Sequence, residues 1–240
     1  MKVYVELKRG FPVNADIQKA IDGFESLVYD IVPFQHSDII MGKYDFAALK
    51  NVFVGSIDTM TALFKIIGKY PEPIDYPRFV LHGDILTRTV IKVTLKDLIN
   101  CYYDSEIFIK PVKTKLFDGM LVTKKEDLNY FKGYEEELVW VSDKIDIISE
   151  WRAYVHNNKL VQCSNYAGDF TLAPVYIYIQ KLIEDYEQPP VSYTIDVAVL
   201  KDGRTAVVEF NDFWAIGSYG LDSTKYTEML RDRYFQIVGG

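Results

Sequence analysis

Asp196, Glu209 and Asn211 are oxygen-bearing side chains that a hairpin would gather on one face. They lie in VSYTIDVAVL-KDGR-TAVVEFND, two runs rich in β-branched residues around Asp202-Gly203. That dipeptide favours a tight hairpin turn because both residues tolerate positive φ. With Asp202 and Gly203 as the two loop residues, Lys201 stands opposite Arg204, Ile195 opposite Phe210, Val197 opposite Val208 and Val199 opposite Ala206. On the other face Asp196 meets Glu209 and Thr194 meets Asn211. Opposed side chains sit about 5 Å apart at Cβ, and like charges there repel. A cation between the carboxylates would relieve the repulsion, and the three oxygen donors suit magnesium, which favours carboxylates with water and phosphate. Without a ligand the same residues make a wet polar face, and a three-residue loop with a bulge would shift the register.

Three basic residues stand upstream at strand ends or on strand faces. Lys110 closes an apolar run before Pro111, and Lys92 lies in another, Arg88 to Val93. Either could simply extend its ammonium to water. Ser149-Glu150-Trp151-Arg152 alternates so that Glu150, Arg152 and Tyr154 share a face. A guanidinium fork there suits phosphate oxygens, or a salt bridge to Glu150. The reverse turn after that strand is Asn157-Asn158, residues that tolerate left-handed geometry. No Ser-His-Asp or Cys-His arrangement is visible. Cys101 and Cys163 lack C-x-x-C spacing, and His36, His82 and His156 are scattered, which argues against a disulfide framework or a zinc site.

The elements that would carry these residues follow from periodicity. Val3 to Leu7, Val28 to Phe34 and Asn51 to Gly55 read as strands. Asn14 caps a helix bearing Ile17, Ala20, Ile21, Phe24 and Val28, and Ser56 caps another bearing Ile57, Met60, Leu63, Phe64 and Ile67 that stops at Gly68. Alternating strands and helices predict a small α/β unit with a parallel sheet over residues 1–75. The Gly55-Ser56 turn reads as a plain strand-to-helix turn, with an anion cradle as the less favoured alternative. Pro71, Pro73 and Pro77 mark a linker, after which residues 76–240 become α+β in character. Strands are expected at Arg88 to Val93, Ile107 to Lys110, Met120 to Thr123, Leu138 to Val141, Ser149 to Val155 and Lys159 to Cys163. Asn165 to Asp169 reads as a loop, and helices as Pro174 to Asp185 and Ser223 to Ile237.

Composition bounds the class. The 240 residues are 49% apolar and 25% charged, as in an ordinary globular protein long enough for a full core. A net charge of −7 counts against a broad nucleic-acid or anionic-membrane surface. No apolar run reaches membrane-spanning length and the N-terminus enters a strand, so a cytoplasmic location is expected.

Ile109-Lys110-Pro111, Ser149-Glu150-Trp151-Arg152, Asp196, and Val207-Val208-Glu209-Phe210-Asn211 together resemble the ATP-grasp superfamily. The resemblance runs from about Phe79 to the C-terminus and is closest to a small bacterial and phage branch named for one arginine and two lysines. It implies an N-terminal α/β domain followed by a two-subdomain ATP-grasp fold with mainly antiparallel sheets. It also implies that Lys92 and Lys110 bind ATP phosphates, that Val139, Trp140 and Val141 form the adenine hinge, and that Asp143 holds the ribose. Arg152 would hold the γ-phosphate, making Lys110 and Arg152 the catalytic pair, and Asp196, Glu209 and Asn211 would bind one or two magnesium ions. The glycine-rich phosphate loop of typical members is replaced by VKTKLFDG, with Gly119 alone and with Lys113 and Lys115 as substitutes.

The activity implied is an ADP-forming ligase that phosphorylates a carboxylate to an acyl phosphate for attack by an amine. The acidic surface points to a small-molecule, amino-acid or peptide acceptor. An RNA end-repair ligase, using Lys110, Lys113, Lys115, Lys124 and Lys125, and a nucleotide-binding module without turnover are the alternatives. If Asp196 and Glu209 simply repel, neutralising Glu209 or removing Arg152 should spare the apo fold.

Overall fold

The computed structural model describes residues 1–44, 51–81, 85–103 and 105–239, so His82 lies outside the described residues. Three four-stranded sheets carry the described chain. In the first, β1 (Lys2–Lys8) sits between β3 (Asp30–Phe34) and β4 (Val52–Val54), parallel to both, with the two-residue β2 (Phe11–Pro12) antiparallel at its end. The helices α1 (Ala15–Ser26) and α3 (Ile57–Ile66) begin where the caps predict. Asn14 accepts from the Ile17 amide and Ser56 from the Thr59 amide, satisfying N–H groups that a helix start leaves bare. A short α2 (His36–Ile40) was not foreseen.

Val28 does not continue α1. It adopts φ 60°, and the Tyr29 amide reaches back to the Phe24 carbonyl, so Val28 occupies the left-handed position that ends a helix. Its side chain is 91% exposed, and the apolar period overran the helix there. The Gly55-Ser56 turn holds an anion of its own, because the Ser56 amide donates to the Glu6 carboxylate at 2.6 Å.

After the proline-rich segment and α4 (Arg78–Leu81), the second sheet runs in the order β5 (Val90–Thr94), β8 (Leu138–Asp143), β6 (Ile107–Pro111), β7 (Met120–Val122), all antiparallel. One face is closed by α5 (Leu95–Cys101) and a 3₁₀ turn at Lys125–Phe131, around Leu95, Ile109, Val122, Leu128, Phe131, Val139 and Val141. The third sheet, also antiparallel, runs β10 (Lys159–Gly168), β9 (Ile147–His156), β11 (Ser192–Leu200), β12 (Thr205–Asp212), with α6 (Tyr176–Glu184) packed on it. β10 continues through the stretch expected to be a loop. The Asn165 amide fills a bulge there, donating to Ser149 Oγ and to the carbonyls of Glu150 and Ala167.

The C-terminal α7 (Ser223–Gly239) returns to the first sheet and completes its core with Tyr226, Met229, Tyr234 and Ile237. Gly23 permits the approach, since a Cβ there would stand 2.3 Å from the Ser223 carbonyl oxygen. Residues 1–75 thus hold one sheet and 76–240 the other two, while the N-terminal core is shared with the last helix. No helix among the described residues is long and apolar enough to cross a membrane.

Candidate functional site

The hairpin of β11 and β12 sets the site, and its register is not the one its turn predicts throughout. Leu200 donates to the Arg204 carbonyl and Gly203 to the Leu200 carbonyl, leaving a three-residue loop in which Gly203 has φ 84°. Near the turn Val199 therefore faces Thr205 and Val197 faces Val207, one step off the expectation. A bulge at Val208 restores the phase, so that Asp196 faces Glu209, Ile195 faces Phe210 and Thr194 faces Asn211 as expected. Arg88 and Tyr76 hold the bulge open. Arg88 donates to the carbonyls of Val207 (2.6 Å) and Val208 (3.0 Å), and the Tyr76 hydroxyl donates to Val208 (2.7 Å).

Side-chain cations already stand beside the two opposed carboxylates. Asp196, 2% exposed, receives a bidentate pair from Arg152, Nε at 2.8 Å and Nη2 at 2.6 Å. Glu209 receives the Lys110 ammonium at 2.5 Å and the Asn211 amide at 2.9 Å. Lys110 also reaches Asp75 Oδ1 at 2.6 Å, and Asp75 Oδ2 accepts from the Trp140 indole at 2.9 Å. Burial alone would raise Glu209, but the ammonium outweighs it and holds the carboxyl below its usual range. Burial pulls Lys110 down, yet Glu209 and Asp75 together keep it above an ordinary lysine. Asp75 stays raised by burial, and burial pushes Asp196 up to about 6 against the pull of Arg152.

These groups line or back a cleft of about 530 Å³ between the second and third sheets, within the range of small-ligand sites. Its walls include Lys110, Glu209 and Asn211, the apolar Phe108, Leu121 and Ile145, and the segment Val112 to Gly119. Lys92 and Lys110 both pair with Trp140, from β5 and β6 on either side, so the lysines share a face. Lys110 is its half-buried member, whereas Lys92 is exposed with Nζ 5.2 Å from the Trp140 ring centroid. Arg152 does not pair with Glu150, whose carboxylate accepts instead from the Tyr166 hydroxyl at 2.7 Å. The guanidinium stacks with Tyr166 and Tyr219, at 5.3 and 4.7 Å from their ring centroids, and its Nη1 is buried without a hydrogen-bond partner.

Several of the expected site residues stand outside the cleft wall. Val139 and Val141 point into the core opposite the cleft, and β8 is paired on both edges, so the backbone of Val139, Trp140 and Val141 is committed to β5 and β6. The part of this segment in the cleft wall is Ser142 to Ile145. Asp143 is there, exposed, with Oδ2 accepting from the Thr89 amide at 3.0 Å. Asp196 and its partner Arg152 both lie outside the cleft wall, as does Lys92, and among the described residues no three acidic, histidine or cysteine side chains are grouped to hold a metal. Glu209 and Asn211 remain as cleft-facing oxygen donors, a set that fits a magnesium ion keeping most of its water. Asp75, Tyr76 and Arg88 were missed by sequence reasoning, and none stands in a pattern that marks it.

Residues 85–229, more than half of the chain, match the family model described as ATP-grasp domain, R2K clade family 2. No curated protein matches the chain significantly. Among solved structures it is similar to D-alanine–D-alanine ligase from Bacillus anthracis complexed with ATP, at 14% identity and a TM-score of 0.55, covering 99% of this chain and 96% of that one. It is also similar to macrocyclase MdnC from Microcystis aeruginosa MRC bound with precursor peptide MdnA, at 14% identity, TM-score 0.54 and coverage of 96% and 99%. A third is the ATP-grasp ligase PsnB complexed with a phosphomimetic variant of its minimal precursor, Mg and ADP, at 9% identity, TM-score 0.51 and 97% of each chain. At these identities the likeness is one of fold.

Proposed function

The chain belongs to the ATP-grasp superfamily, in its R2K clade, and from that premise we propose that it is an ATP-dependent ligase activating a carboxylate as an acyl phosphate. The observation that carries the reading is Lys110, a half-buried ammonium on the cleft floor whose partners are carboxylates, with the Arg152 guanidinium behind them and its Nη1 left without a partner. Such cations suit a triphosphate, which would draw Lys110 from its carboxylates and accept from Arg152 Nη1. Lys92, exposed over the Trp140 ring, would serve as the second phosphate lysine. The base would lie against Phe108, Leu121 and Ile145 with its edge toward Lys144 and Ile145, and the ribose hydroxyls near Asp143. The boundary between domains is drawn at 75/76.

Glu209 and Asn211 would hold magnesium, with Asp196 orienting Arg152 rather than ligating unless the guanidinium moves. When bound, that ion would neutralise charge on the β- and γ-phosphates. A substrate carboxylate oxygen attacks the γ-phosphorus and ADP leaves. An amine then attacks the acyl carbon, and inorganic phosphate departs. Arg152 is suited to charge on the transferred phosphoryl group, and Lys110 to charge on the departing diphosphate. The acceptor class is a small molecule, an amino acid or a peptide.

The test is the fate of labelled ATP incubated with the protein, magnesium and either pooled metabolites and peptides or RNA. ADP formation dependent on the metabolite or peptide pool is expected. AMP appearing only with RNA would overturn the reading in favour of an end-joining ligase, and binding without any product would mean a nucleotide module.

A further inference from the structure

The proline-rich segment between the first sheet and the rest is tied into the cleft floor by residues that no part of the proposed chemistry requires. Asp75 has φ 26°, an unfavourable backbone angle for any residue but glycine, so its conformation is sustained by its contacts. Those contacts reach three strands. Its carbonyl accepts from the Phe210 amide of β12 at 2.7 Å, Oδ1 takes the Lys110 ammonium of β6, and Oδ2 takes the Trp140 indole of β8. Tyr76 extends the seam, packing edge-on against Trp140 with centroids 5.0 Å apart while its hydroxyl holds the bulge beside Glu209. One carboxylate thus stands on the ammonium that a nucleotide would need.

We propose that Asp75 is a strap displaced by nucleotide: its carboxylate holds Lys110 until phosphate oxygens replace it, and its release loosens the segment that leads to the first sheet. The inference rests on the reading of Lys110 as a phosphate ligand. An ammonium has three N–H groups, of which Asp75 and Glu209 each take one. One N–H remains for a first phosphate oxygen, and any further phosphate contact must displace a carboxylate. Only Asp75 belongs to the connecting segment, so its loss from Lys110 transmits occupancy of the cleft to the chain between the domains. Removing its charge also makes the site less negative toward a polyanion.

The strap predicts that Asp75→Asn binds ATP with magnesium more tightly than the wild type. The amide still accepts from Trp140 but no longer offers a carboxylate to Lys110. Loss of one competing charge-assisted hydrogen bond corresponds to on the order of tenfold in the dissociation constant. A residue that merely supported the fold, or positioned Lys110 for phosphate, would weaken binding when changed. Hydrogen exchange on the unaltered protein gives a second reading that does not depend on the variant folding. ATP with magnesium should speed exchange at the Phe210 amide, which donates to the Asp75 carbonyl. Equal or weaker binding by Asp75→Asn, or unchanged or slower exchange at Phe210, overturns the strap while leaving the ligase reading intact. Failure of both proteins to bind ATP would sink the two together.

Discussion

Changing Glu209 to Gln separates two accounts of the opposed carboxylates, because they give opposite signs for stability. If Asp196 and Glu209 faced each other without cations, the change would relieve repulsion and leave the fold level or firmer. In the structure Glu209 instead holds Lys110 at 2.5 Å, with side-chain exposures of 25% and 13%. Removing one partner of a buried pair costs about 3–5 kcal/mol when the other charge is left alone. Here Lys110 keeps Asp75 and the new amide oxygen can still accept, so a loss of about 1–2 kcal/mol is expected, as for one charged hydrogen bond. For a chain of this size that lowers Tm by roughly 3–6 °C. The dependence on pH fixes the cause. Glu209 is held below its usual range, so its ionised form stabilises the fold fully above the unfolded value of about 4.3. That contribution fades as pH falls through the lower folded value. The gap between wild type and Glu209→Gln, measured by thermal melts, should be open at pH 7 and narrow below about pH 4. A variant as stable as wild type at pH 7, or more so, would refute the ion pair and return the repulsion argument.

Arg152→Ala should destabilise by about 3–5 kcal/mol in denaturant melts, because it strands the buried Asp196 carboxylate. Arg152→Lys should lose less stability yet still lose most turnover, since an ammonium cannot reproduce the bidentate fork; retained activity in either variant would remove Arg152 from the chemistry. Burial pushes the Cys163 thiol up to about 11, so its alkylation by iodoacetamide should be slow at pH 8 and keep accelerating toward that value. A rate that levels off near pH 9 would contradict that environment.

The helix starts at Asn14 and Ser56, the turn at Asn157-Asn158 and the positive φ of Gly203 were legible because a single side chain or backbone preference decides each. So was the pairing of Asp196 with Glu209. The tip of that hairpin was misread, since Asp202-Gly203 fits both a two-residue loop and the three-residue loop observed. The surroundings of Val139 and Val141 were not legible, because a strand that borders a cleft and one that is central to its sheet share the same composition; neighbours, not the strand, decide which backbone groups are free. Asp75 was not legible at all. Between prolines it reads as a linker, and 35 residues separate it from Lys110, which only the sheet order brings to it.

The hairpin also constrains how this sequence can change. Its turn is one residue out of phase with its carboxylate end, and Val208 absorbs the difference. Deleting one loop residue, or Val208 alone, would rotate Glu209 and Asn211 toward the packed side of the sheet or drive their partners there. Deleting both would keep Asp196 opposite Glu209 but remove the Val208 carbonyl that Tyr76 and Arg88 hold at the cleft wall. Length changes in this hairpin should therefore be accepted in compensating pairs, and descendants of this chain are expected to carry the long turn with the bulge, or neither.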